Sequence, residues 1–133
     1  MSQSTPHQES PKLTRQQQRA QEAFSCVSSY AGERTEYKRI AKRFPALVHT
    51  CGLAQACAFV LAKDPIKNKT PGKDYLEHLS QVMDLSGANI SEMSRERPFS
   101  EYMRLSFEAV ESGSWLKRYA EAFIEDDKDA DGV

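Results

Sequence analysis

The sequence predicts an all-α protein, a compact bundle of five or six helices. Apolar residues recur at helical spacing in every segment between residues 13 and 125. Capping residues and helix breakers fall between those segments, and no stretch alternates apolar with polar as a half-buried strand does. The 133 residues suit one domain, with 39% hydrophobic residues to fill a core and 28% charged residues to keep its surface wetted. Residues 1–12 are polar, carry Pro6 and Pro11, and are expected to be disordered; residues 13–125 form the helical domain; residues 126–133 form an acidic tail.

Thr14 opens the first helix as N-cap, with Gln17 completing a capping box. Ala20, Ala23, Phe24 and Val27 give its apolar face, and Gly32 is expected to end it. The second helix is expected from Thr35, with Tyr37, Ile40, Ala41, Phe44, Leu47 and Val48 on its inner side. Pro45 lies inside that pattern and predicts a kink or two short helices. After Gly52, Leu53 to Lys63 is apolar almost all round, as a central buried helix would be.

Residues 64–73 read as a loop, after which Thr70 caps a helix with Pro71 at its first position. Tyr75, Leu76, Leu79, Val82 and Met83 line that helix's inner face. A short helical turn is expected within 84–97. Pro98 then starts a final helix, with Met103, Phe107, Val110, Leu116, Tyr119, Ala120 and Phe123 facing inward. The Ser112-Gly113-Ser114 triplet predicts a bend or a close packing contact, not a break.

Several function classes find no support. The longest near-apolar run, Leu53 to Ala62, is too short to span a bilayer, and the N-terminus lacks the apolar core of a signal peptide. A soluble cytoplasmic protein with no membrane partner is therefore expected. Cys26, Cys51 and Cys57 make neither a disulfide framework nor a zinc pattern, and His7, His49 and His78 share no ligand spacing. Cys57 lies in the most apolar helix, where a thiolate is poorly solvated, so a Cys–His pair with His49 is not expected. Asp127, Asp129, Asp131 and Gly132 match only the opening of a calcium loop, and the given sequence ends one residue after that glycine. No phosphate loop, HExxH or GxSxG is present, so neither enzyme chemistry, a metal nor a cofactor is expected.

Charge is the informative feature. Residues 1–73 hold 12 Lys/Arg against 5 Asp/Glu, while residues 74–133 hold 6 against 14. At 100° per residue, Lys38, Arg39, Lys42 and Arg43 fall opposite the apolar side of the second helix, as one exposed ridge near Glu36. Arg15 and Arg19 form a shorter stripe beside the first helix's apolar face, and Lys63, Lys67, Lys69 and Lys73 surround the loop. Such cations suit nucleic-acid phosphates, which they neutralise without reading sequence. No aromatic residue interleaves with the ridge in sequence, so base stacking is not expected. A solvated helix face with no nucleic-acid role explains the same residues. A helix-turn-helix regulator fits less well, because Pro45 interrupts its first helix and Gln55 alone in its second is polar.

Gln18-Arg19-Ala20 with Ala23, Tyr37, Ala41-Lys42, Pro45, Gly52-Leu53, Ala58-Phe59, Trp115-Leu116-Lys117-Arg118 and Ala120-Glu121-Ala122 occur in that order. Over residues 14–124 they resemble the small helical, fifth subunit of the type III-B CRISPR effector, the Cmr or RAMP-module complex. The resemblance implies an all-α, non-catalytic subunit that lines up with neighbouring copies of itself opposite a filament of backbone subunits. Guide RNA paired to target RNA runs between the two filaments. Cleavage then belongs to the backbone subunits, and signalling and DNA cleavage to the large subunit. The resemblance adds Lys117 and Arg118 to the candidate phosphate contacts and leaves Trp115 and Phe59 as core. Cys51 stands where the family often has Asn, which removes a side-chain cap from the next helix.

Overall fold

The structure, a computed structural model, describes residues 12–62, 64 and 69–126. Six helices follow in order: α1 (Arg15–Ser28), α2 (Arg34–Cys51), α3 (Leu53–Leu61), α4 (Pro71–Val82), α5 (Ile90–Glu96) and α6 (Phe99–Phe123). No strand occurs among the described residues, so the all-α expectation holds. The segment 1–11 and the tail beyond Asp126 lie outside the described residues.

The capping box at Thr14 forms as expected. The Gln17 amide donates to Thr14 Oγ1 at 3.0 Å, and the Thr14 amide donates to Gln17 Oε1 at 2.8 Å. The helix ends at Ser28, before Gly32. Gly32 serves the connection instead: the Tyr30 ring lies where a Cβ would stand.

Helix α2 begins at Arg34, one residue before Thr35, and runs through Pro45 as one element. The expected division into two helices does not occur, and α6 packs against this region with a glycine. A Cβ on Gly113 would sit 3.4 Å from Pro45 Cγ and 3.3 Å from the Tyr75 hydroxyl. The Ser112-Gly113-Ser114 triplet is thus a packing contact inside an uninterrupted α6. Close approach there, with Lys38 reaching Ile124 at the other end, fixes α2 and α6 antiparallel.

The α6 seam differs from the expected one. Leu105, Ala109, Ser112, Gly113, Leu116 and Ala120 face the core. Met103 and Phe107 point outward, as does Phe99. Two apolar stripes compete on this helix, and the one with small residues wins because only it lets the α2 backbone approach. Phe24 of α1 is likewise half exposed, resting edge-on against Tyr119 and Phe123.

Helix α3 is apolar all round but is not central. Leu53, Ala56, Cys57 and Val60 are buried, while Ala58, Phe59 and Leu61 face out. Its N-terminus follows Gly52, whose φ of 87° favours glycine. The cap missing at Cys51 comes from α6, where the Tyr102 hydroxyl accepts from the Ala54 amide at 3.1 Å. Across the next loop, Asp64 rather than Thr70 caps α4. Its two carboxylate oxygens accept from the Gly72 and Lys73 amides at 2.7 and 2.8 Å, and Thr70 donates to Asp74 instead.

The short helix expected within 84–97 is α5, capped by the Asn89 side chain. Ser80 ties it to α4: its hydroxyl accepts from the Ile90 amide and donates to the Leu76 carbonyl. Tyr37, Phe44 and Tyr75 meet at the centre, with ring centroids 5.3 to 5.7 Å apart. Burying side chains of this size contributes roughly 1.5–3 kcal/mol each. The Tyr37 hydroxyl closes the polar edge of that cluster, 2.6 Å from His78 Nδ1.

Candidate nucleic-acid interface

Helix α2 divides its four ridge cations. Arg39, Lys42 and Arg43 are exposed. Lys38 departs from the expected ridge: it is buried, and its ammonium donates to the Ile124 carbonyl at 2.7 Å and pairs with Asp126 Oδ1 at 2.7 Å. At the edge of the apolar side, its long stem lies along the protein and its head reaches the end of α6. Arg39 pairs with Glu36 at 3.3 Å. No acid among the described residues forms a salt bridge with Lys42 or Arg43.

The α1 stripe is not an open cationic surface either. Arg19 is buried and shares Glu108 Oε1 with Arg15, which lies 2.8 Å from it and remains exposed. Burial raises the affinity of Glu108 for a proton, but hydrogen bonds from Arg15 and Arg19 outweigh this and hold its carboxyl below the usual range. These arginines join α1 to α6. Lys69 is exposed and pairs with Glu33 at 3.0 Å. Lys63 and Lys67 lie outside the described residues. On α6, Lys117 is half-buried and Arg118 exposed, at the level of the middle of α2 set by the antiparallel packing.

The remaining outward cations surround a groove of about 410 Å³ between α2 and α3. Arg39, Lys42 and Arg43 contribute charge, Ile40, Leu47 and Val60 an apolar floor, and Glu36 one acidic group. Phe59 completes the wall, and the Arg43 guanidinium sits 5.2 Å from its ring centroid. An aromatic residue therefore does join the ridge, and Phe59 is partly exposed, not core. The signal was present in sequence: Arg43 and Phe59 stand equally far from Cys51 on either side of the Gly52 break, so a sharp turn there brings them together. The groove combines hydrogen-bond donors of fixed positive charge with an apolar wall.

Two of the three cysteine thiols are buried and poorly suited to act as nucleophiles. Burial pushes the Cys57 and Cys26 thiols up to about 12. Among the described residues, no three His, Cys, Asp or Glu side chains gather as metal ligands. The calcium-loop-like aspartates beyond Asp126 lie outside those residues. No helix among the described residues is long and apolar enough to cross a membrane.

Comparison with known proteins decides the family. The sequence model described as "CRISPR-associated protein (Cas_Cmr5)" matches residues 15–123. The chain belongs to the Cmr5 family. A relative in Thermus thermophilus, "CRISPR system Cmr subunit Cmr5", is 38% identical over 116 residues, 85% of this chain and 98% of that protein. The crystal structure of a CRISPR-associated Cmr5 family protein from the same organism superposes with a TM-score of 0.71 at 34% identity. It covers 86% of this chain and 100% of its own. The match from residue 15 to residue 123 takes in every helix from α1 to α6, so α2 and its groove lie within the family's own domain.

Proposed function

We propose that this chain is a non-catalytic structural subunit of a CRISPR Cmr effector in the cytoplasm, and that it contacts the phosphate backbone of the guide–target RNA duplex. The observation that carries the RNA part is the outward triad Arg39, Lys42 and Arg43 beside Phe59. Three cations within two helical turns present charge to a polyanion without reading its bases. Lys69, Lys117 and Arg118 stay on the described surface as further candidate phosphate contacts. Arg15, Arg19 and Lys38 act within the fold instead.

The partners are the backbone and large subunits and neighbouring copies of the chain. Opposed surfaces support a row of copies. The cationic groove lies between α2 and α3, whereas Glu22, Glu77 and Asp84 line a separate cleft at the C-terminal end of α4. A contact between such different patches is head-to-tail, and it repeats as a filament when the rotation between copies does not close a ring.

The test is made in the assembled complex. Co-purification with a tagged backbone subunit checks membership. The triple variant Arg39→Glu, Lys42→Glu, Arg43→Glu is then titrated with target RNA at several salt concentrations. If all three touch phosphates, the salt slope falls by about 0.7 per contact, roughly 2 in total. The loss is equal for unrelated target sequences. Failed assembly of a folded variant makes the groove a protein interface. Unchanged affinity and slope leave a helical adaptor whose cations are solvated.

A further inference from the structure

We propose that the cationic groove between α2 and α3 is the docking site of the chain's own acidic segment, residues 126–133, and that RNA must displace this segment to bind there. The displacement half of the proposal rests on the RNA reading above; the docking half does not. Two contacts set where the chain leaves α6. The Lys38 ammonium holds the Ile124 carbonyl and the Asp126 carboxylate, each at 2.7 Å. The chain therefore passes Asp126 alongside α2, at the head of the ridge.

The next ridge cation is already within electrostatic reach. The Asp126 carboxyl is held below its usual range by the hydrogen bond and charge of Lys38, and Lys42 lowers it further. Beyond it follow Asp127, Asp129 and Asp131, opposed only by Lys128. Those three aspartates alternate along the chain, so an extended backbone places their carboxylates on one side, about 6.6 Å apart. From Lys38 to Arg43 the helix rises only about 7.5 Å, whereas seven extended residues span up to about 23 Å. Length and charge both match.

The occupant resembles the ligand it would compete with. A run of carboxylates and a run of phosphates offer the same anionic oxygens to Arg39, Lys42 and Arg43. Because the segment is tethered, its effective concentration at the groove is on the order of millimolar. Short or incidental polyanions then compete poorly, while RNA held by many subunits prevails through multiple contacts. The segment sharpens selection for assembled RNA over stray RNA without adding any base contact.

The experiment compares the full chain with the full-length variant Asp127→Asn, Asp129→Asn, Asp131→Asn, which keeps Asp126 and the Lys38 pair. Side-chain Nε–H signals of Arg39 and Arg43 are read by NMR at low and high salt. Docking requires them to differ between the two proteins at low salt and to converge at high salt. Identical signals at low salt overturn the proposal, whatever the RNA result. In parallel, a single-stranded RNA oligonucleotide is titrated. The neutral variant is expected to bind about fivefold more tightly, as removal of a weak tethered competitor predicts, with a steeper salt slope. That gain should disappear when Lys42→Glu and Arg43→Glu are added. Equal RNA affinity despite different arginine signals overturns displacement and leaves docking. Different signals with no RNA binding by either protein overturn displacement by single-stranded RNA and leave docking intact, while the RNA reading itself stands or falls on the titration of the assembled complex.

Discussion

Lys38 and Lys42 are one helical turn apart on α2, yet they do different things. Lys38 is buried against the end of α6 and satisfies a carbonyl and a carboxylate there. Lys42 stands in solvent at the rim of a groove. Arg19 and Arg15 repeat the contrast on α1, one buried and one exposed on the same oxygen of Glu108. Residue type does not separate a structural cation from an available one. Its angular distance from the apolar stripe and the presence of a partner element do.

The largest effect should come from Arg19. Arg19→Ala leaves Glu108 largely shielded from solvent with Arg15 as its remaining partner, and urea unfolding should show a loss of about 3 kcal/mol. Arg15→Ala removes an exposed partner of the same carboxylate and should cost less than about 1 kcal/mol. Equal losses would erase the contrast on α1.

Lys38→Met should cost about 1–2 kcal/mol, because it removes charge-assisted hydrogen bonds to Ile124 and Asp126. It should also speed amide exchange near the end of α6. Lys42→Met should stay within about 0.5 kcal/mol of the parent. If Lys42 matches Lys38, the two positions are not distinct in the way their burial implies.

Acid separates two internal contacts. Burial lowers the affinity of His78 for a proton, although Asp74 partly opposes this. The folded state therefore favours neutral His78, and the associated stability is complete above the ordinary histidine value of 6.5. It falls as pH drops from there toward the lowered folded value. Glu108 behaves differently: its folded carboxyl is depressed, so its contribution is present above the ordinary value and disappears as pH falls through the folded one. Stability measured from pH 8 downward should decline in two stages, and His78→Gln should remove the upper stage alone.

Reversing the charge of the whole outward triad should also perturb stability little. Arg39→Glu, Lys42→Glu and Arg43→Glu together should shift unfolding by less than about 1 kcal/mol, mostly through the Arg43–Phe59 contact. Circular dichroism should stay helical. A large loss would mean that these cations hold α2 to α3 and that the groove is part of the core.

The sequence by itself determined the helical class, the Thr14 capping box, most of the α2 and α4 core faces, and the concentration of positive charge in the first half. Those features are local, since caps and 3.6-residue periodicity act within a few residues of chain. The tertiary structure decided which of two apolar stripes on α6 turns inward, because Gly113 must meet Pro45 while Met103 and Phe107 need not meet anything. It also supplied caps from afar, with Tyr102 for α3 and Asp64 for α4. Above all, it sorted the cations. Whether a lysine at the edge of an apolar face is buried depends on a carbonyl 86 residues away, and that proximity exists only once α2 and α6 have packed.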